Sequence, residues 1–268
     1  LLQIKEITKE IKKQKIKGPS GNLVQIEIFA HGALCVAVSG KCYMSLHTTN
    51  SSANRGACIQ NCRKTYIVTD KEDGHQFEID NEHILSPKDL CTIGFLDRVL
   101  DSGINILKIE GRGRSPEYVK ITTQCYREAA DALLEGTYNK EKVKGWMNKL
   151  ETVYNRGFWN GYYLGQKLGE WTEIYGSKAT RKKIYLGKAK KYFTKIQVAE
   201  FNLETQQLKE GDNIFITGRT TGIIETVAGE MRLNDKQVKG VKKGDNFSMK
   251  LDYTVRPSDK LYKVVNSK

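Results

Sequence analysis

The sequence predicts an α/β domain followed by a small all-β domain, and three observations carry this. Strand-like and helix-like segments alternate through roughly the first half of the chain. Short alternating segments without helical pattern crowd residues 184–253. Between them "GSKATRKK", residues 176–183, reads as a linker. The first domain is therefore placed at residues 1–175 and the second, a small basic β-barrel or sandwich, at residues 184–268.

Taken in order, "IKEITKEIKKQKI" carries Ile4, Ile7, Ile11 and Ile16 among lysines, the stripe of a surface helix. "GPSGN" ends it, and "LVQIEIF" reads as a buried strand rich in branched side chains. "TYIVTD" and "HQFEID", separated by "KEDG", suggest a hairpin. Ser86 and Pro87 are placed as N-cap and first residue of a helix that runs towards Gly103. "INILKIEG" is the next buried strand, and Ser115-Pro116 opens a long amphipathic helix. Gly-Asp turns at 211–212 and 244–245 punctuate the β segments "IYLGKAKKYF", "KIQVAEF", "DNIFITG", "GIIETVAG" and "FSMKLDY".

Composition narrows the class of function. The 268 residues include 39% hydrophobic side chains and only 4 prolines, which suits a packed globular protein. No apolar run approaches the roughly 20 residues of a membrane span, so no membrane partner is expected. No secretory signal is visible, although Leu1 stands where Met is usual, so the start reads as processed, truncated or incomplete. Six cysteines without such a signal argue for reduced thiols and a cytoplasmic location. The balance of 44 Lys and Arg against 31 Asp and Glu leaves +13, an excess that attracts polyanions such as nucleic acid. Residues 182–268 hold 18 of these cations against 10 acids. A generally lysine-rich composition is the plainer reading.

Four cysteines stand at Cys35-x6-Cys42-x15-Cys58-x3-Cys62. Four thiolates in one loop region suit tetrahedral zinc or a cubane iron–sulfur cluster. Zinc ribbons bring their cysteines as C-x2-C knuckles, which are absent here. The longer gaps, with Gly32, Gly40 and Gly56 nearby, favour loops bent round a larger group. Unligated core cysteines are the bland alternative, and the preferred one for Cys91 and Cys125, which fall in expected helices.

"EIFAHGALCVAVSGKCYMS", residues 27–45, resembles the signature of the collagenase-like peptidase family of unassigned catalytic type. That pattern is Glu-x-Phe, two residues, Gly-(Ser/Ala)-aliphatic-Cys, then Gly-x-Cys-x-aliphatic-Ser. Glu27, Phe29, Gly32, Ala33, Leu34, Cys35, Gly40, Cys42, Met44 and Ser45 match every fixed position. The likeness continues through "NRGACIQNCRKTY", "LSPKDL", "KIEGRGRSPEYV" and "YNRGFWNGYYLG", and the β-rich tail is similar to the family's accessory domain. It implies a TIM-type (β/α) barrel of about 250 residues. Residues 1–175 match its later strands, and the earlier ones would lie outside this sequence. The family includes prephenate-dependent proteins that 5-hydroxylate the tRNA wobble uridine, and others acting on a ribosomal RNA cytidine or on ubiquinone. Several carry a 4Fe–4S cluster, which implies Cys35, Cys42, Cys58 and Cys62 as ligands here. Prephenate is implied as co-substrate, tRNA or rRNA as partner, and a second subunit of the same family as an expected contributor. The cysteine pair at 58 and 62 and the basic tail suit RNA better than a quinone.

In such a barrel, strand ends point ligands into one mouth. His31 follows the first strand and is placed to move a proton or touch a base, with a satisfied histidine beside the cysteines as the alternative. Glu27, on a strand read as buried, is either catalytic or held in a salt bridge. Arg112 and Arg114 follow "INILKI" and suit clamping of a carboxylate or phosphate; an ion pair with Glu110 or Glu27 is the structural alternative. Lys108 joins them as a substrate contact, and Arg156, in "NRGF", combines a cation with an aromatic suited to RNA. Lys182 and Lys183 read as phosphate contacts, or as a solvated face. His47, His75 and His83 read as solvated histidines. The competing class is a protease using Cys35 with His31; neither H-E-x-x-H nor G-x-S-x-G occurs. A non-catalytic RNA-binding role is the third class.

Overall fold

The computed structural model describes residues 1–37, 40–64, 66–77, 85–174 and 176–267. The chain divides into two compact units, Leu1–Arg114 with Tyr118–Lys178, and Ser115–Glu117 with Ala179–Lys268. Among the described residues no helix is long and apolar enough to cross a membrane.

The first unit is built, in chain order, from α1 (Leu2–Gln14), β1 (Glu27–Gly32), α2 (Tyr43–Thr49), β2 (Val68–Thr69), β3 (Gln76–Phe77), β4 (Asp89–Cys91), α3 (Leu96–Asp101), β5 (Ile106–Ile109), α4 (Pro116–Leu134), α5 (Lys140–Leu150) and β6 (Phe158–Trp159). Four strands form one sheet in the order β5-β1-β4-β6. β1 and β5 run parallel, whereas β4 lies antiparallel to β1 and parallel to β6. The expectation of parallel strands thus holds only in part. The sheet is mixed and open, with β5 and β6 at its edges, and does not close into a barrel among the described residues. α4 packs on it through Tyr118, Thr122, Cys125, Tyr126, Ala129 and Ala132, one face at helical spacing. The Tyr126 hydroxyl donates to the Ala30 carbonyl at 2.8 Å and accepts from the Thr92 N–H at 2.9 Å, tying β1 to the end of β4.

Ser86-Pro87 does not open a helix. Lys88 N–H donates to Glu170 O and Asp89 N–H to Gly157 O, so the backbone is already taken up by a ladder. A 3-10 turn over Ile93–Phe95 leads into α-helix only at Leu96, and Cys91 sits on a strand, although buried as expected. The first strand starts at Glu27 rather than Leu23, and α1 stops at Lys15, whose φ is 52°. β2 and β3 pair antiparallel as the expected hairpin. The rest of "HQFEID", and His83, lie outside the described residues.

The second unit contains β7 (Arg181–Phe193), β8 (Val198–Leu203), β9 (Gln207–Lys209), β10 (Asn213–Gly218), β11 (Gly222–Val227), β12 (Met231–Leu233), β13 (Lys236–Val238), β14 (Gly240–Lys242), β15 (Asn246–Lys250) and β16 (Lys260–Asn266). Every pairing is antiparallel, in an eight-stranded sheet ordered β11-β10-β16-β7-β8-β15-β12-β13 with a β9-β14 ribbon. Residues 181–183, assigned to the linker, belong to β7, because the ladder to β16 extends to Arg181. Both Gly-Asp turns use one device. Asp212 accepts from the Lys209 N–H and Asp245 from the Lys242 N–H, each at 2.8 Å, beside glycines at φ 87° and 94°.

Phe201 and Phe247 face each other across β8 and β15, wholly buried, with ring centroids 5.5 Å apart. Phe201→Ala should destabilise the chain by about 3–5 kcal/mol, measured as a lower urea midpoint.

Candidate functional site: the cysteine loops and the buried arginines behind them

Parallel pairing of β1 and β5 puts their C-terminal ends side by side, with the Glu110 N–H donating to the His31 carbonyl at 2.8 Å. Gly32 makes this approach feasible. Its φ is 139°, and a Cβ there would stand 2.4 Å from that of Glu110. The chain then runs into loops that carry the four cysteines. Cys42 caps α2, its Sγ accepting from the Ser45 N–H at 3.4 Å, and Cys35 Sγ accepts from the Ala37 N–H at 3.3 Å. Cys62 lies in a 3-10 turn over Asn61–Arg63, and Cys58 is exposed.

Three side chains lash these loops together, each gripping at least one backbone carbonyl. Asn61, 3% exposed, donates through Nδ2 to the Met44 carbonyl and to Thr48 Oγ1, joining the Cys62 turn to α2. Arg63 donates through Nη2 to the Leu34 carbonyl beside Cys35, and through Nη1 to Ser86 Oγ and the Pro87 carbonyl. Arg112 Nη2 donates to the Gly56 carbonyl at 3.0 Å, two residues before Cys58.

Burial raises the Cys62 thiol above its ordinary value; Arg63 opposes the shift, and Cys35, Cys58 and Cys42 add to it. Hydrogen bonds from Ser45 lower Cys42. All four thiols are free of disulfides and two are exposed. As a donor set they fit a thiolate-bound group, with N–H groups already aimed at two sulfurs and a cation beside a third. Among the described residues, however, no three Cys, His, Asp or Glu side chains are gathered closely enough to hold a metal ion. The sulfurs share one electrostatic neighbourhood without being drawn into ligand geometry.

Behind Arg63 lies a second cluster. Asp89, 1% exposed, accepts from Arg114 Nη2 on both oxygens at 3.4 and 3.3 Å, from Arg156 Nη1 at 3.3 Å and from the Arg156 N–H at 3.2 Å. The Tyr154 ring lies 4.2 Å from Arg114 Cζ and 5.2 Å from that of Arg156. His31 is 1% exposed, with ring centroids of Tyr118, Tyr126 and Phe158 5.4–5.9 Å away. Its Nδ1 lies 3.5 Å from the Tyr126 hydroxyl. Burial, helped by Arg114, pushes its pKa down to about 3, so the ring is neutral at physiological pH.

Measured against expectation, the placements differ. Glu27 is exposed rather than buried, because β1 alternates and turns it outward, and it pairs with Lys108 at 2.9 Å. Lys108 also stands 5.1 Å from the Phe29 ring. Arg112 braces a cysteine loop, while Arg114 and Arg156 turn inward to Asp89. Lys182 is exposed on β7, and half-buried Lys183 lies 5.0 Å from the Tyr262 ring. His47 and His75 are exposed. Cys91 and Cys125 are core thiols, pushed up by burial to about 11 and about 12. Sequence reasoning missed Asp89, Arg63, Asn61, Tyr118 and Tyr154. The available signal for Asp89 was an acid directly followed by the apolar Leu90 and Cys91 in "KDLC".

Because folded His31 titrates near 3 and the unfolded residue near 6.5, the unfolded chain binds its proton first as pH falls. The stability this buried neutral ring confers is complete above pH 6.5 and drains as pH drops towards 3. Urea midpoints of wild type and His31→Gln should therefore show a steeper acid decline in wild type, by up to about 1.4 kcal/mol per pH unit.

Comparison with known proteins places this geometry. The model of peptidase family U32 matches residues 2–173. The chain is 54% identical over 261 residues to a "Collagenase" of Porphyromonas gingivalis, covering 97% of this chain and 63% of that protein. It is 31% identical over 216 residues to a tRNA hydroxylation protein of Bacillus subtilis, covering 77% and 51%. To a 23S rRNA 5-hydroxycytidine synthase of Escherichia coli it is 46% identical over 110 residues, covering 41% and 16%. This chain thus spans less than two thirds of each of these relatives. With the matched model extending well beyond the motif at residues 27–45, the chain belongs to peptidase family U32.

Proposed function

We propose that the protein is an RNA-modifying enzyme that 5-hydroxylates the tRNA wobble uridine, with prephenate as co-substrate and a 4Fe–4S cluster held by Cys35, Cys42, Cys58 and Cys62. The observation that supports this reading is that four disulfide-free thiols sit on loops lashed together by Asn61, Arg63 and Arg112. Relatives named for tRNA hydroxylation and for rRNA 5-hydroxycytidine synthesis support it. When bound, such a cluster supplies one-electron redox chemistry. The chain's own contribution is to aim N–H groups at sulfur and to hold cationic side chains where polyanionic RNA approaches. Lys182, exposed on β7, would contact phosphate, and an extruded base is the form in which uridine C5 is reachable. A cytoplasmic site of action follows from that substrate.

The 54% identity to a protein named collagenase favours a second reading, proteolysis. Against it, neutral His31 sits within an aromatic shell and faces Tyr126, with no hydrogen bond to Cys35 among the described residues.

Anaerobically purified protein should be brown, absorb broadly near roughly 400 nm and carry about four irons per chain. Cys62→Ser should lose most of that iron while its circular dichroism is kept. Colourless, iron-free protein would remove the cluster. Mass spectrometry of tRNA from a deletion strain should lack 5-hydroxyuridine derivatives at the wobble position, restored by the wild-type gene and not by the Cys62→Ser gene. Gelatin cleavage by purified protein with unchanged tRNA would instead establish the protease.

A further inference from the structure

The outer face of the second unit's large sheet carries positive charge that its own acids do not answer. Ala189 and Tyr192 of β7 pair with Phe201 and Ala199 of β8 and pack into the core. Strand alternation therefore turns Lys188, Lys191 and Phe193 outward. Lys250 of β15 stands opposite Val198 on the same face, and Lys260 of β16 stands opposite Lys188. Like charges directly opposite each other weaken a sheet, and this sheet keeps such a pair. Glu204 lies 3.5 Å from Lys188, Glu200 3.9 Å from Lys190, and Glu230 2.9 Å from Arg232 of β12. Those three acids are thereby engaged. Among the described residues Lys191, Lys250 and Lys260 form no ion pair, and Asp252, on the loop after β15, pairs with none of them.

The same face bears an aromatic ring in water. Phe193, at the end of β7, is 38% exposed, and Lys191 Nζ stands 4.8 Å from its ring centroid. Phe193, Val198 and Lys250 lie side by side on three neighbouring strands, so ring and cation are two strand spacings, about 10 Å, apart. Further along, exposed Asn246 accepts from Lys190 Nζ at 3.1 Å and sits opposite Asn202. Side-chain amides of this kind can read base edges. An exposed ring among unpaired cations suits a stacked nucleobase with its phosphates held alongside. A duplex keeps its base faces inside its own stack, so the ring serves only an unpaired strand. An acidic peptide would satisfy the lysines without using the ring.

We infer that the outer face of β7, β8 and β15, with Lys260 of β16, is a binding surface for single-stranded RNA. Phe193 stacks a base, and Lys191, Lys250 and Lys260 meet phosphates. The choice of RNA among polyanions rests on the function proposed above; the ring and the unpaired lysines are features of the face itself.

The test is fluorescence anisotropy of a labelled oligouridine of about 10 nucleotides. It is titrated with the full 268-residue chain as wild type, as Phe193→Leu and as the double variant Lys250→Gln/Lys260→Gln. Phe193→Leu keeps apolar bulk and loses the stacking face, so it should retain the wild-type Tm and bind at least about 5-fold more weakly. The double variant relieves the opposition of Lys188 and Lys260, and its Tm should be unchanged or higher. Its slope of log affinity against log salt should be shallower by about 1.4, from two lost phosphate contacts. Duplex RNA of matched length should bind more weakly and be indifferent to Phe193→Leu. Absence of oligouridine binding, equal affinity of wild type and Phe193→Leu, an unchanged salt slope in the double variant, or equal binding of the duplex would each overturn the surface. Oligouridine binding with unaltered tRNA in the deletion strain would leave the surface standing and remove the tRNA reading. Loss of 5-hydroxyuridine from that strain, with no oligouridine bound by the protein, would do the reverse.

Discussion

Asp89 is almost wholly buried on a strand of three residues, and such burial is sustainable only because two guanidiniums and a backbone N–H meet its oxygens. Stripping water from a carboxylate costs several kcal/mol, and good hydrogen-bond geometry is what returns it. The partners come from separate stretches of chain, Arg114 from the turn after β5 and Arg156 from the approach to β6. One side chain therefore fixes how the end of β5 and the edge strand β6 stand relative to β4. Tyr154 closes the arrangement by laying its ring against both cations.

The cysteine loops inherit their position from this core. Arg63 reaches from the Cys62 turn to the carbonyls of Leu34 and Pro87, the latter two residues before Asp89. Arg112 reaches from the turn that also carries Arg114 to the Gly56 carbonyl. At Gly56 the backbone needs a φ of 94°, and a Cβ there would stand 2.4 Å from Arg112 Nη2, so a larger residue would displace the tether. Loops without regular structure thus acquire a defined course from side chains anchored on rigid elements, the arrangement on which reactive sites are commonly built.

Much of the scaffold could be read from the sequence, and the failures share a cause. α4 announced itself through Pro116 and six buried positions at helical spacing, and β8 through strict alternation. The same Ser-Pro signal at residues 86–87 misled, because a local start signal loses when the backbone finds a better partner in a distant strand. α5 went unread although Asn139 accepts from the Lys142 N–H as an N-cap and Trp146 and Leu150 share a face. Spacing and the signature at residues 27–45 drew attention to the four cysteines, and the loops that bear them are tied by Asn61, Arg63 and Arg112. Glu27 left its expected buried environment while the unread Asp89 is buried, since a strand's register decides which acid faces inward. Arg114 and Arg156 were read as reaching for an external anion, and nothing in their local sequence reports that an aspartate lies behind them. Tethers to carbonyl oxygens leave no trace in sequence, because every residue offers the same acceptor.

That uniformity has an evolutionary consequence. Asn61, Arg63 and Arg112 each grip main-chain oxygens, and those oxygens persist whatever side chain the gripped residue bears. These contacts therefore place no demand on the side chains of Leu34, Met44 and Pro87, provided the backbone keeps its path. Diversification of the surface that meets a substrate is in this way uncoupled from the frame that steadies the thiols, and related proteins have room to change what they recognise while keeping one scaffold.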